Sequence, residues 1–502
     1  MKLLRSMKQT ILLFTALAFA VLPLAGCDSF QLPTAPPQQT SDIVTESPSA
    51  RPAESSATPE VDVTATPEAT ETPTEEPTPT EEPTPTVAPT EEPTPIPTPK
   101  PTPTPAPTAT PVPKGPWNDG DRSDVKVTRY FTTTLPEGLK KSLKYTKYPA
   151  YLNYFVVLKS SAIRALPSTG ARSLKSVKLA QRYELLAQVK GSDGKSDWYR
   201  VRVADGGAVG YIPALAGTPK SFQVKKAFDR IQALKKVTDQ EGTVRVSNYK
   251  NRNGKPPLMP NKKDVDSFGN LRDQAAPAYL AADKNSSFRY APDGTICQML
   301  GTKGDFMQVY IPSFDEVRYI PSRFIYGTKT DQIKSLTQVA VVDRKNQNIM
   351  TFEFINGHWA IVSFCFVSTG KTGGYSDPTP VGDFMAIEKK KAGKYGIGEF
   401  WYLADGYDPV AGEMKFEGYA PYAVRFTGGA YLHGLPRGVS YTTDPVTGES
   451  KLVMPGSLVS ESYGTFLGVR PESHMCVRNY SSHAKFMWQW FKVGSGSVMV
   501  IE

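Results

Sequence analysis

Residues 31–113 hold 23 of the chain's 45 prolines and contain no Phe, Trp, Tyr or Gly. Such a stretch cannot bury enough apolar surface to offset the entropy of ordering its backbone. Within it Thr-Glu-Glu-Pro-Thr-Pro recurs at 74–79, 80–85 and 90–95. Alternating Pro favours an extended polyproline chain, so a tether of about 85 residues reaches up to about 260 Å. About 390 residues remain beyond it, enough for two or three compact domains. One large globular enzyme, a polytopic membrane protein and a disulfide-framed mini-protein are all excluded. The four cysteines, at 27, 297, 365 and 476, form no CxxC pair, so neither a zinc ribbon nor a disulfide scaffold is expected.

Charge is divided unevenly: +2 in residues 1–30, −11 in 31–113 and +18 in the remainder, for a formal total of +9. A basic folded part suits nucleic acid and an anionic cell wall equally well. The front of the chain decides between them. A short basic start leads into the apolar run Ile11–Gly26, shorter than the roughly 20 residues of a membrane span. It reads as a signal peptide. Its end, Leu24-Ala25-Gly26-Cys27, resembles the bacterial lipoprotein cleavage motif, in which Cys27 becomes the lipidated first residue. The expected location is extracytoplasmic, anchored to the membrane through Cys27 and reaching into the wall. Nucleic acid is then excluded as a partner.

From Tyr151 short apolar runs alternate with Gly, Asp, Ser and Pro, the pattern of a β protein. An internal repeat is visible. Ile163–Pro167 is echoed by Phe288–Pro292, Asp197–Val201 by Asp305–Val309, and Gly210–Pro213 by Arg318–Pro321. Trp198 to Tyr211 and Phe306 to Tyr319 both span 13 positions. The order resembles bacterial Src-homology-3-like domains, small β-barrels that often bind peptidoglycan. Trp198 and Tyr211 either close the barrel as core residues or line a groove. Val224–Lys236 has helical spacing and links the copies. Further on, Val339–Asp343 and Ile349–Glu353 read as a hairpin and Trp359–Val367 as a third strand. On that strand Cys365 is expected to share a face with Ile361 and Ser363. Cys365 and Cys297 read as inert core thiols, and His358 as a surface residue.

Three of the four histidines fall in the last 70 residues, near Cys476. A thiol with a free pKa of about 8.5 needs a base to react near neutral pH, and a neighbouring His supplies one. The context resembles the YkuD-like L,D-transpeptidase family. Val339–Asp343 matches its opening strand, and Ser368-Thr369-Gly370 with Thr379–Phe384 its "STG…TPxGxF" segment. Arg425–Gly429 before His433-Gly434 matches its base-bearing strand, and Ser473–Arg478 its "SHGC[IV]R". Ala484–Trp488 and Val493–Val500 match its closing helix and strand.

That resemblance implies Cys476 as nucleophile, His433 as general base and the Gly434 carbonyl as its orienting partner. It also implies Arg478 as a carboxylate ligand, with Ser473 and His474 shaping the site. His483 is expected on the solvent side of the closing helix. No metal or cofactor is implied, and the expected partners are peptidoglycan stem peptides.

Two departures stand out. Met475 replaces the family's Gly: an ordinary β conformation is expected there, the alternative being an unusual backbone angle that leaves the oxyanion amides misplaced. His433 and Cys476 lie 43 positions apart, which implies an inserted loop around 436–456 over the site. The expected fold is mainly β: two small Src-homology-3-like barrels, then an L,D-transpeptidase-type β-sandwich with a short helix after the nucleophile. Expected boundaries are a signal peptide at 1–26, a tether at 27–114, domains at 115–220 and 221–330, and a catalytic domain at 333–502. The oligomeric state is left open.

Overall fold

The computed structural model describes residues 124–502 apart from 148, 150, 204–206, 261, 328–334, 374–375, 392–397, 404–415 and 454–463. The signal peptide, the tether and Cys27 lie outside the described residues. The first stretch contains strands β1 (Val127–Tyr130), β2 (Leu139–Lys141), β3 (Asn153–Val157), β4 (Ser161–Arg164) and β5 (Ser173–Val177). It continues through β6 (Arg182–Lys190), β7 (Asp197–Arg202), β8 (Val209–Pro213) and β9 (Gly217–Ser221) to helix α1 (Val224–Thr238). The second stretch holds β10 (Thr243–Val246), β11 (Ala275–Tyr279), β12 (Phe288–Pro292), β13 (Ile296–Lys303), β14 (Phe306–Ile311), β15 (Glu316–Pro321) and β16 (Ile325–Tyr326).

The two sheets share one plan. The first is ordered β5-β4-β8-β7-β6-β3-β9 and the second β12-β11-β15-β14-β13-β10-β16, which is the same order strand for strand. Trp198 pairs with Pro213 as Phe306 pairs with Pro321, so the 13-residue echo falls on equivalent positions. The first echo does not. Ile163 and Arg164 lie in β4, whereas Phe288–Pro292 is β12, the counterpart of β5. Short apolar-Arg segments recur in any β protein, and that similarity crossed strands. Trp198 and Tyr211 are buried together with Val125, Ala187 and Val189, in a core rather than a groove.

The third stretch holds β17 (Gln338–Asp343), β18 (Asn348–Ile355), β19 (His358–Ser368), β20 (Gly382–Met385) and β21 (Glu388–Lys389). There follow β22 (Phe400–Leu403), β23 (Phe416–Ala420), β24 (Val424–Thr427), β25 (Ala430–His433) and β26 (Arg437–Gly438). The chain ends in β27 (Ser440–Thr443), β28 (Ser450–Val453), β29 (Val477–Asn479), helix α2 (Ser481–Trp490) and β30 (Gly496–Ile501). The main order is β20-β30-β17-β18-β19-β29-β25-β24-β21. Strand β19 belongs to both halves: it pairs with β18 from His358 to Phe366 and with β2 at Trp359–Ile361, and Val367 and Ser368 pair with Asn479 and Arg478 of β29.

Period-two alternation gives each half its faces. Ala340, Val342, Val498 and Val500 meet Val424, Phe426, Leu432 and Val477 in a core closed by Met487 and Phe491. The intervening Val339, Val341, Met499 and Ile501 face outward. They are covered by Phe228, Ile231 and Leu234, the apolar stripe of α1. Helix α1 therefore links the two repeats and also roofs the third sheet. A bulge between β18 and β19 pairs Thr351 with Ser363 but Phe352 with Ile361. The extra residue puts Ile361 in the outer cluster and Cys365 in the inner one, so the two do not share a face as expected. His358 opens β19 beside the turn and is partly exposed.

Candidate functional site

The site grows out of two short parallel strands. Strand β25 pairs with β29 through Leu432–Val477 and His433–Arg478. Leu432 and Val477 point into the inner core. Strand alternation then sends His433, Cys476 and Arg478 to the opposite face. Register thereby sets the sequence-predicted base opposite the sequence-predicted cation, with Cys476 directly before β29, although the base is 43 positions from Cys476 in the chain.

His433 Nδ1 donates to the Gly434 carbonyl at 2.6 Å, which leaves Nε2 with its lone pair. The ring is buried. Burial, with some help from the Arg478 charge, lowers its pKa to about 4. Cys476 Sγ lies 3.8 Å from the Gly429 carbonyl. Burial pushes this thiol up to about 11, against the pull of the Tyr431 peptide and of Arg478. The resting pair is therefore neutral thiol and neutral imidazole, not thiolate and imidazolium. Such a pair does acyl chemistry by general base catalysis, with the proton leaving sulfur as the bond to carbon forms.

The turn before Cys476 is held from several sides. Ser473 Oγ donates to the Cys476 carbonyl and accepts from the Met475 amide at 3.4 Å. Thr379 Oγ1 accepts from the Gly370 amide at 2.8 Å and donates to the Met475 carbonyl at 2.7 Å. Gly370 is required here, because a Cβ would come within 2.7 Å of the Met475 Cα and 2.3 Å of the Asp377 carbonyl. Arg478 is buried, with Nη1 donating to the Glu472 carbonyl at 3.0 Å. The His474 side chain is exposed.

Two expectations are corrected. Met475 has φ +139°, in the region that favours glycine, not an ordinary β conformation. The glycine-like path survives the substitution because Ser473, Thr379 and Gly370 hold both sides of that residue. His483 is fully buried rather than on the solvent side of α2. Its Nε2 meets Ser363 Oγ at 2.9 Å and its Nδ1 meets Asn479 Oδ1 at 3.1 Å. Burial lowers its pKa to about 3. Polarity suggested the solvent face, but two buried polar partners supply what water would. The inserted region contains β26, which pairs with β23, and the β27–β28 hairpin. Its residues 454–456 lie outside the described residues.

The contribution of the second repeat was missed by sequence reasoning. Arg425 of β24 forms a buried ion pair with Asp293 at 2.8 Å. Asp293 also accepts from the Gly428 amide at 3.2 Å and from the Asn248 amide at 2.8 Å. Tyr249 lies under the Arg425 guanidinium, 4.1 Å from it, and the Met385 amide donates to the Gly294 carbonyl at 3.0 Å. The contacts of Arg425 and Gly428 with this repeat span over 100 positions, and no local signal announces them.

Residues 337–501 match the family model described as the L,D-transpeptidase catalytic domain, YkuD. No curated relative matches the chain. Among solved structures it is similar to an L,D-transpeptidase from Mycobacterium smegmatis (15% identity, 49% of this chain and 87% of that one, TM-score 0.22). It is also similar to an L,D-transpeptidase from Mycobacterium tuberculosis H37Rv (15%, 46% and 76%, TM-score 0.21). A third is L,D-transpeptidase 3 from Mycobacterium tuberculosis in complex with a faropenem-derived adduct (14%, 45% and 78%, TM-score 0.21). It is thus the segment 337–501, from β17 to β30, that carries a YkuD-type L,D-transpeptidase catalytic domain.

Proposed function

We propose that the chain is an exported, lipid-anchored peptidoglycan L,D-transpeptidase with Cys476 as nucleophile and His433 as base. The observation that carries this reading is the shared face of β25 and β29, with His433 Nδ1 committed to Gly434 and Nε2 left as base. In the first half-reaction the Cys476 sulfur bonds to the carbonyl carbon of the diamino acid in a tetrapeptide stem. Its proton passes to His433 Nε2. The tetrahedral adduct collapses, the C–N bond to the terminal D-Ala breaks, and Nε2 returns the proton to the departing amine. In the second, an amine of a neighbouring stem attacks the thioester and loses a proton to Nε2. The C–S bond breaks and the proton goes back to sulfur. Arg478 is the ligand of a substrate carboxylate and also places positive charge near Cys476, and the pinned 473–476 turn presents its amides to the oxyanion.

The preceding repeats are read as Src-homology-3-like modules in a protein tethered through lipidated Cys27. The test is incubation of the purified full chain with tetrapeptide muropeptides, read by mass spectrometry. Cross-linked dimers support the transpeptidase. Tripeptides alone make it an L,D-carboxypeptidase, with water as acceptor. Unchanged input leaves a wall-binding protein. For the anchor, Cys27→Ser should release the chain from membranes, and continued tight association would overturn that part.

A further inference from the structure

The second repeat reaches Met475, the residue before the proposed nucleophile. A cavity of about 30 Å³ is lined by Leu271, Asp273 and Gln274 from that repeat and by Gly428, Gly429 and Met475 from the catalytic sheet, among others. Gly429 is the residue whose carbonyl stands 3.8 Å from Cys476 Sγ. The Gln274 side chain lies along this peptide: a Cβ on Gly428 would meet it at 3.5–3.7 Å. Asp273 is exposed, and its carboxylate is fixed in direction. Asn251 Nδ2 donates to one oxygen at 2.7 Å and Gln274 Nε2 to the other at 2.9 Å. Gln274 is in turn held by its Oε1, which accepts from the Lys250 amide at 2.9 Å, and by its own amide, which donates to Asn251 Oδ1 at 2.9 Å. Lys250, Asn251 and Gln274 all have φ between 53° and 55°, a conformation non-glycine residues keep only where the surroundings impose it. The buried Arg425–Asp293 pair locks this wall to the hairpin that bears His433.

The geometry points to Asp273 as a specificity residue that holds the ammonium group of the acyl acceptor beside the thioester; that group gives one proton to solvent, and the free amine then attacks and loses its second proton to His433 Nε2. This rests on the acyl-transfer reading above. A cavity of about 30 Å³ suits one water-sized group, and a primary ammonium is of that size. A carboxylate with both oxygens oriented, an amide and two peptide units make a polar lining for a cation. An attacking amine must pass close to Cys476 Sγ, and the cavity shares Gly429 and Met475 with that approach.

The test compares the full chain with its Asp273→Asn variant on tetrapeptide muropeptides and on a carbapenem. Loss of a charge-assisted contact to an ammonium should lower the ratio of dimer to tripeptide product by about tenfold. The rate of thiol acylation by the carbapenem should not change, a separation that a merely structural defect would not give. Dimer and tripeptide falling together would mean that Asp273 serves the donor stem and would overturn the acceptor assignment. An unchanged ratio would overturn it as well. Should the unmodified chain turn over nothing, the acyl-transfer reading fails. The cation pocket is then judged by whether lysinamide raises the melting temperature of that chain and not of Asp273→Asn; equal shifts would overturn it.

Discussion

Replacing Met475 by glycine and, separately, by alanine divides the effect of its backbone from that of its side chain. At φ +139° a non-glycine residue carries on the order of 1–3 kcal/mol of conformational strain. Its side chain is partly buried against the inner core of the sandwich, which contributes about 1 kcal/mol if half of a full Met burial is realised. Alanine removes the contact and keeps the strain, so it should destabilise by about 1 kcal/mol. Glycine removes both but has more freedom to lose on folding, about 0.5–1 kcal/mol. The glycine variant should therefore be the more stable of the two by about 1 kcal/mol, read as a melting midpoint a few degrees higher. Acylation by a carbapenem should stay within about threefold of the unmodified chain in Met475→Gly. The reason is that Thr379 and Ser473 already hold the peptide on the glycine-like path. A glycine variant no more stable than alanine would refute the strain. An acylation rate higher by about tenfold would show that the Met side chain holds the oxyanion donors off their best geometry.

Cys476→Ala should abolish turnover and carbapenem labelling by mass, while Cys297→Ala and Cys365→Ala keep both and lose about 1–2 kcal/mol from the core. Because His433 titrates near 4 and Cys476 near 11, the pH profile of acylation should be flat through neutrality with an acid limb near pH 4. A limb at 6.5 would mean a solvated imidazole. The depressed values of His433 and His483 mean that the unfolded chain takes up protons first. Stability is full above pH 6.5 and lost as the pH falls toward 4 and below, by about 3 kcal/mol for His433 alone, measurable as unfolding free energy against pH. Arg425→Met leaves Asp293 buried without its ion pair and should cost about 3 kcal/mol in the same measurement.

The readable parts of this chain were those whose meaning is local. His433-Gly434 and Ser473–Arg478 are contiguous, and the strand register that unites them follows from alternating apolar positions. The 13-residue spacing of Trp198–Tyr211 and Phe306–Tyr319 falls on equivalent strand positions because both ends lie in one hairpin. Failures came where a distant partner decides. Nothing near His483 tells that Ser363, 120 positions away, will meet its ring. One extra residue in β19 was enough to turn Ile361 away from Cys365, and period-two counting has no means of anticipating a bulge. Met475 was misjudged because side-chain type argued for an ordinary strand angle. The angle is in fact imposed by Gly370 and Thr379, about 100 residues earlier.

The segment matched by the family model does not close its own surface. On the outer face of its sheet Val339, Val341, Met350, Phe352, Ile361, Phe364, Met499 and Ile501 share one buried cluster with α1, which lies outside residues 337–501. The first repeat adds polar anchors to the same face. Tyr154 donates to the Asn346 carbonyl at 2.6 Å and accepts from Asn348 at 3.1 Å, and Lys220 donates to the Val469 carbonyl at 2.8 Å. Removing that cover forfeits burial worth on the order of 10 kcal/mol for eight large side chains, comparable with the whole stability of a typical domain. A fragment of residues 337–502 should therefore aggregate or melt without cooperativity. A fragment of 124–502 should melt cooperatively and be acylated at Cys476 at the rate of the full chain. A monomeric 337–502 fragment with a sharp transition and an undiminished acylation rate would show that α1 and the repeats are accessories to the sheet and not part of its fold.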